Sequence, residues 1–229
     1  MTEDLTQRLA KVKKQISDAA RKAGRRADEI KLVAVSKTHP VEALKAAIAA
    51  GANILGENKV QEAESKITKI GRENAEWHLI GNLQANKARK AVKLFDVIHT
   101  LDSIELAERL ERICLEENRK SLSVFVQIDL ANETTKNGIK VEDLPVLNEF
   151  LKNCKCLKFD GLMTLPPYFE DAEKARPYFR GLREIRDEIL PNGELSMGMS
   201  HDFAAAIEEG ATIIRIGTAI FGERNISHR

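Results

Sequence analysis

The chain is expected to be an α/β protein, a single-domain closed (β/α)8 barrel of parallel strands. Three observations lead there. Eight short apolar runs recur along the 229 residues, seven helix-like stretches separate them one by one, and no Pro/Gly/Ser-rich linker or low-complexity segment divides the chain. Strands that alternate with helices form a parallel sheet covered by those helices. Eight strands close such a sheet into a barrel, and this length lies near the lower end of the range for that fold. An open, doubly wound sheet is the competing architecture.

Along the chain, Leu5, Leu9, Val12 and Ile16 come first and recur with helical spacing, so residues 1–25 are expected to carry an extra amphipathic helix packed on the barrel. The strands are expected at Leu32–Ser36, Asn53–Gly56, Trp77–Gly81, Asp96–Thr100, Leu122–Leu130, Leu157–Leu165, Glu194–Gly198 and Thr212–Gly217. Between them, helices are expected at Val41–Ala50, Lys59–Ile70, Leu83–Lys93, Ile104–Asn118, Val141–Lys152, Ala172–Ile189 and Phe203–Glu209. Tyr178, Leu182, Ile185 and Ile189 give the sixth of these its apolar stripe. The domain is therefore read as residues 1–229.

Composition narrows the function classes. Lys+Arg 36 against Asp+Glu 35 leaves a net charge of +1, so bulk charge argues for neither a nucleic acid nor an anionic membrane as partner. The N-terminal segment is polar and amphipathic rather than a signal peptide. No apolar stretch approaches the roughly 20 residues of a membrane helix, and a cytoplasmic location is expected. Cys154-Lys155-Cys156 is too tight for a zinc knuckle. With Cys114, these are read as free thiols, and no metal site is expected.

In parallel α/β folds, chemistry gathers at the C-terminal ends of strands. Lys37 closes the run Leu32-Val33-Ala34-Val35-Ser36-Lys37 at such an end. It is either a snorkelling strand-end lysine or an amine held for a carbonyl or phosphate. The segments Ser196-Met197-Gly198-Met199-Ser200 and Arg215-Ile216-Gly217-Thr218 follow strand seven and close strand eight. Phosphates in these barrels commonly sit between those two loops. Gly217 lets backbone amides approach, and Ser200 and Thr218 supply hydroxyls. Arg215 interrupts an apolar run, where a buried guanidinium is costly without a partner. A Schiff-base lysine, a phosphate cradle and a buried arginine that can face a pyridine nitrogen together describe a site for pyridoxal 5′-phosphate. Such an arginine keeps its own proton, so the ring nitrogen stays unprotonated.

Other polar residues near strand ends have plainer readings. His78 is read as a core histidine, with the barrel mouth as the alternative. Asn58 either lines the mouth or caps the following helix. Glu57 and His201 are read as solvent-exposed or capping groups. Asp202 suits a helix N-terminus and should point away from the cradle. Lys87-Ala88-Arg89-Lys90 is read as a solvated helix face.

At these residues the chain resembles a known family. Leu32–Thr38, Gly56–Glu62, Trp77–Lys87, Gly161–Thr164, Ser196–Ser200 and Arg215–Gly222 look like successive signatures of the pyridoxal phosphate homeostasis proteins, spread over nearly the whole chain. The resemblance implies a TIM-type barrel similar to the N-terminal domain of alanine racemase. It implies that Lys37 carries the cofactor as a Schiff base. It places Arg215 at the pyridine nitrogen, Ser200, Gly217 and Thr218 at the phosphate, and Asn58 beside the ring. His201 stands where a residue that is often acidic or small follows Ser200. The resemblance further implies vitamin B6 homeostasis, with storage, buffering or delivery of the cofactor, possible transfer to cofactor-dependent apo-enzymes, and indirect effects on amino-acid metabolism. Alanine racemase adds a second domain with a tyrosine as its second acid/base. The expectation for this chain is that Arg229 leaves no room for that domain, that the protein is a monomer, and that it is a carrier more readily than an enzyme. An amino-acid racemase is the alternative, with Tyr168 and Tyr178 the tyrosines at hand. A docking module using the Lys87–Lys90 face is a third reading.

Overall fold

The computed structural model describes residues 4–131 and 137–223. Residues 1–3, 132–136 and 224–229, part of the expected 1–229 domain, lie outside the described residues. The elements run α1 (Leu5–Lys22), β1 (Lys31–Val35), α2 (Val41–Ala49), β2 (Ile54–Glu57), α3 (Val60–Ile70), β3 (Glu76–Leu79), α4 (Ala88–Leu94), β4 (Val97–Leu101) and α5 (Ile104–Glu116). They continue through β5 (Leu122–Gln127), α6 (Leu144–Lys152), β6 (Leu157–Met163), α7 (Arg176–Ile189), β7 (Glu194–Ser196), α8 (Phe203–Glu208), β8 (Ile213–Ile216) and α9 (Thr218–Phe221). The strands form a closed barrel in sequence order, and β8 pairs in parallel with β1 to close it. The doubly wound alternative is thereby excluded.

Alternation along each strand sorts side chains into two cores. Val33, Val97, Phe125, Met163 and Ile213 fill the lumen. Leu32, Ala34, Ile214 and Ile216 pack outward against the helices. Both faces of every strand are thus covered, which is why the runs read as nearly continuous apolar sequence. The N-terminal helix buries Leu5, Leu9, Val12 and Ile16 and packs chiefly on α8 and α9. It is tied there by Arg8 Nε donating to the Ile220 carbonyl at 2.7 Å and Arg25 Nη1 to the Ala211 carbonyl at 2.8 Å. No helix among the described residues is long and apolar enough to cross a membrane.

Boundaries differ from expectation for physical reasons. The helices expected from Val141 and Ala172 begin as 3-10 turns, and α6 and α7 start only at Leu144 and Arg176. Pro145 and Pro177 occupy the second positions of those helices, where a missing N–H costs nothing. The strand expected over Leu122–Leu130 stops at Gln127, and Ile128 forms only an isolated bridge to Ile139. The short α9 went unread because four residues are too few to show a period.

Candidate cofactor-binding site

A cavity of about 560 Å³ opens at the C-terminal mouth of the barrel. Strand parity builds it. On β1, Lys31 lines the opposite end of the lumen, Val33 fills the middle and Val35 lines the mouth, so Lys37 continues the same face into the cavity. On β8, Ile213 lies at the far end, Arg215 and Gly217 at the mouth. All six expected site residues line this one cavity: Lys37, Asn58, Ser200, Arg215, Gly217 and Thr218. A lysine and an arginine belong to the lining, and none of its described residues carries a carboxylate.

Arg215 is 3 % exposed. Its Nη1 donates to Ser196 Oγ at 2.6 Å and its Nη2 to the Thr164 carbonyl at 3.0 Å. Burial lowers its pKa to about 10, with Asp202 acting in the opposite direction. The group therefore stays cationic at neutral pH. The Gly217 amide donates to Ser200 Oγ at 3.3 Å, joining the loops after β7 and β8. Gly198, at φ +92°, turns the first of these loops, and a Cβ there would come within 2.6 Å of the Ala206 Cβ. Asn58 is held from behind by Gly81, where a Cβ would lie 2.3 Å from the Asn58 carbonyl oxygen.

The backbone around Lys37 is clamped on both sides. Thr38 adopts φ 67°, a left-handed conformation that strains a β-branched residue. Its N–H donates to Glu62 Oε1 at 2.5 Å. Lys66, 5 % exposed, donates at 2.7 Å each to the Ser36 carbonyl, Glu57 Oε1 and Glu62 Oε1, so all three ammonium hydrogens are used. Ser36 Oγ donates to Glu57 Oε1 at 2.6 Å. Burial pushes the Glu57 carboxyl up, with Lys66 and Ser36 pulling the other way. Burial also works against ionised Glu62, but Lys66 and the Thr38 amide outweigh it and hold that carboxyl below its usual range. Lys66 and Glu62 went unread in the sequence, because a Glu–Lys pair four apart on a helix looks like an ordinary surface pair.

These contacts correct some expectations and bear out others. Glu57 is neither exposed nor a cap; it is fully buried, and its Oε2 has no partner among the described residues. Its place at the tip of β2 turns it under Ser36. Asn58 is not the cap of α3, since that position falls to Lys59. His78 does not line the mouth. It lies at the other end of the lumen, beside a second cavity of about 300 Å³. Asp202 is buried, and its Oδ1 accepts the Met199 amide at 2.6 Å, inside its own loop. His201 is exposed, and its Nε2–H donates to the Glu170 carbonyl at 2.9 Å. Tyr168, 78 % exposed, stands at the rim beside it, while Tyr178 packs on Phe169 away from the cavity. Of the basic stretch, Arg89 and Lys90 lie on a solvated face of α4, as expected, with Arg89 paired to Glu116 and Glu117 and Lys90 to Glu64 at 2.7 Å. Cys114, Cys154 and Cys156 are free thiols, and burial pushes Cys114 up to about 12.

A lysine at the tip of β1, an arginine at the tip of β8 and a hydroxyl-lined double loop between them define a barrel of the alanine racemase N-terminal type. The family model described as alanine racemase, N-terminal domain, matches residues 8–225. The fold also aligns with alanine racemase from Corynebacterium glutamicum at a TM-score of 0.65 and 17% identity, covering 95% of this chain and 62% of that one. More similar is the Pyridoxal phosphate homeostasis protein of Aquifex aeolicus, 43% identical over 225 residues, 95% of this chain and 97% of that protein. PipY of Synechococcus elongatus, solved with PLP bound, superposes at a TM-score of 0.83 with 38% identity, covering 96% of this chain and all of that one. The chain belongs to the family of pyridoxal phosphate homeostasis proteins.

Proposed function

We propose that this chain binds pyridoxal 5′-phosphate in the mouth cavity and contributes to vitamin B6 homeostasis by storing, buffering or delivering it. One observation carries the reading: Lys37, Arg215 and the Ser200–Gly217–Thr218 loops converge on a single cavity with no carboxylate among its described lining residues. That donor set fits the ligand. A phosphate dianion suits hydroxyls and a backbone amide, an aldehyde suits an amine, and a pyridine nitrogen suits a guanidinium that stays protonated. Bound there, the cofactor supplies an aldehyde and an electron-withdrawing ring.

The protein's own residues determine how that ligand is held. Lys37 is the covalent anchor, kept in place by the clamp on Ser36 and Thr38. Arg215 presents N–H donors and does not give up a proton, which leaves the ring a weak electron sink. Asn58 flanks the ring. The six proposed site residues come from one chain, and a monomer is the proposed state. Cofactor-dependent apo-enzymes are the proposed recipients, in the cytoplasm. Mixed with the cofactor, the protein is expected to develop the absorbance of a lysine adduct, which Lys37→Ala abolishes. No adduct with the intact protein would end the reading. Mixing loaded protein with an apo-enzyme and a scavenger of free cofactor then separates delivery, which reactivates the enzyme, from storage, which does not.

One observation favours a racemase instead: Tyr168 lines the cavity and could serve as a second acid/base. Steady amino-acid turnover that requires both Lys37 and Tyr168 would establish that reading.

A further inference from the structure

Below Arg215 the lumen holds polar side chains that the mouth cavity does not use. His78 on β3 and His99 on β4 are 1 % and 0 % exposed, and Ser196 on β7 is 0 % exposed. They join end to end. Arg215 Nη1 meets Ser196 Oγ at 2.6 Å, Ser196 Oγ meets His99 Nδ1 at 2.8 Å, and His99 Nε2 meets His78 Nδ1 at 2.8 Å. His78 Nε2 then meets Glu76 Oε1 at 2.9 Å. Glu76 is half-exposed and borders the cavity at the N-terminal end of the strands. A continuous chain of hydrogen bonds therefore spans the barrel from one cavity to the other.

With both rings neutral, the two ends fix its direction. A guanidinium has only donors, so Arg215 gives a hydrogen to Ser196. An ionised carboxylate has only acceptors, so His78 gives its Nε2 hydrogen to Glu76. The Nδ1 of a neutral His78 must then accept from His99 Nε2, and the Nδ1 of His99 must accept from the Ser196 hydroxyl. Every bond points the same way, and no hydrogen is missing or duplicated. Burial, reinforced by Arg215, holds the His99 pKa well below its usual value, which keeps that ring neutral. The hydrogen bond from His78 holds the Glu76 carboxyl below its usual range, which keeps it ionised. Phe125 stacks on His99 with centroids 4.7 Å apart and fixes the ring plane. Plain packing asks for none of this, since apolar side chains fill a lumen at lower cost than two imidazoles.

We propose that Glu76, His78, His99 and Ser196 are positioning residues for Arg215, a one-way relay through which the carboxylate at the far end of the barrel acts as the remote counter-ion of the guanidinium. The proposal rests on the reading that Arg215 faces the bound cofactor. Aligned hydrogen bonds polarise one another in a low-dielectric interior, so the effect of Glu76 reaches Arg215 without contact. The relay fixes which Arg215 hydrogens are spent on the protein and which remain for the ring. It also couples the occupancy of the mouth to the N-terminal cavity.

The test uses nitrogen NMR of the full chain with labelled histidines, alongside titration with pyridoxal 5′-phosphate. Without cofactor, His78 and His99 are both expected as neutral rings protonated at Nε2; an imidazolium or the opposite tautomer at His99 overturns the relay. On loading, both rings are expected to shift although neither lines the mouth, and Ser196→Ala is expected to block the shift. Glu76→Gln is expected to weaken cofactor binding roughly five-fold, the size of one net hydrogen bond. Glu194→Gln serves as control, since it removes a carboxylate from the same N-terminal cavity outside the relay. Equal effects of Glu76→Gln and Glu194→Gln, or histidines that do not respond while the adduct forms, would overturn the proposal and leave the cofactor site standing. Failure of the adduct itself would instead refute the cofactor reading, and the tautomers without cofactor would still decide whether the relay exists.

Discussion

Lys66 holds the backbone from which Lys37, the proposed anchor, is presented. Its ammonium is buried against two carboxylates and the Ser36 carbonyl. Removing one partner of such a buried pair leaves an uncompensated charge, at a cost of about 3–5 kcal/mol. Lys66→Met is therefore expected to destabilise the fold by about that much in denaturant unfolding and to weaken the Lys37 adduct. Adding Glu57→Leu removes the stranded carboxyl and is expected to recover most of the stability. It does not restore the bonds to Ser36 and Glu62, so adduct affinity should stay low. Recovery of both together would mean that the network only stabilises the barrel and does not position Lys37. The sequence revealed Lys37 and Arg215 because each breaks an apolar run at a strand end. It hid Lys66, Glu57 and the histidine pair because their meaning lies in contacts between different strands and helices. His78 and His99 stand 21 residues apart with no spacing rule to join them.

At the level of elements, the connection between β7 and α8 sets the width of the proposed phosphate cradle. Gly198 passes through φ +92° with α8 packed directly against it, and its carbonyl accepts the Arg215 amide at 3.0 Å. A side chain there meets both strain and the Ala206 Cβ. Gly198→Ala is expected to cost about 1–3 kcal/mol of stability, and to separate Ser200 from Gly217. Calorimetry reads the first effect. Competition by inorganic phosphate reads the second, and phosphate affinity equal to that of the parent protein would show that the loop absorbs the change elsewhere. The eight strands and the covering helices were legible because hydrophobic periodicity survives in any parallel barrel. The edges were not, since prolines inside first turns and the isolated bridge at Ile128 depend on local hydrogen bonding that periodicity does not record.

For the whole molecule, pH acts in the same direction at the two ends of the barrel but in widely separated windows. Near the N-terminal end, Asp96 accepts from Arg72 Nη1 at 3.0 Å, Arg72 Nη2 at 2.5 Å and the Trp77 amide at 2.8 Å, joining the approach to β3 with the start of β4. Burial raises the Asp96 pKa, but Arg72 and the Trp77 amide outweigh it and hold the carboxyl below 3.8. A carboxyl depressed in the folded state binds fewer protons there than in the unfolded chain. Its contribution is complete above about pH 4 and is lost as pH falls through the folded value. The Arg215 pKa is lowered as well, here by burial, which for a base disfavours the charged form. Below about 10 Arg215 is cationic both folded and unfolded, so the cost of burying it is constant. Between about 10 and its ordinary, higher value the unfolded chain binds more protons, so this residue adds stability as pH rises. Acid is therefore the condition in which Asp96 can be isolated. Asp96→Asn is expected to cost about 1.5–3 kcal/mol at pH 7, the range for hydrogen bonds to a charged group. The difference should shrink as pH falls below about 4, where the aspartate itself becomes neutral. Denaturant unfolding of both proteins at pH 7, 5 and 3.5 measures it, and a difference that stays constant across that range would show that Asp96 does not set the acid limit of the barrel.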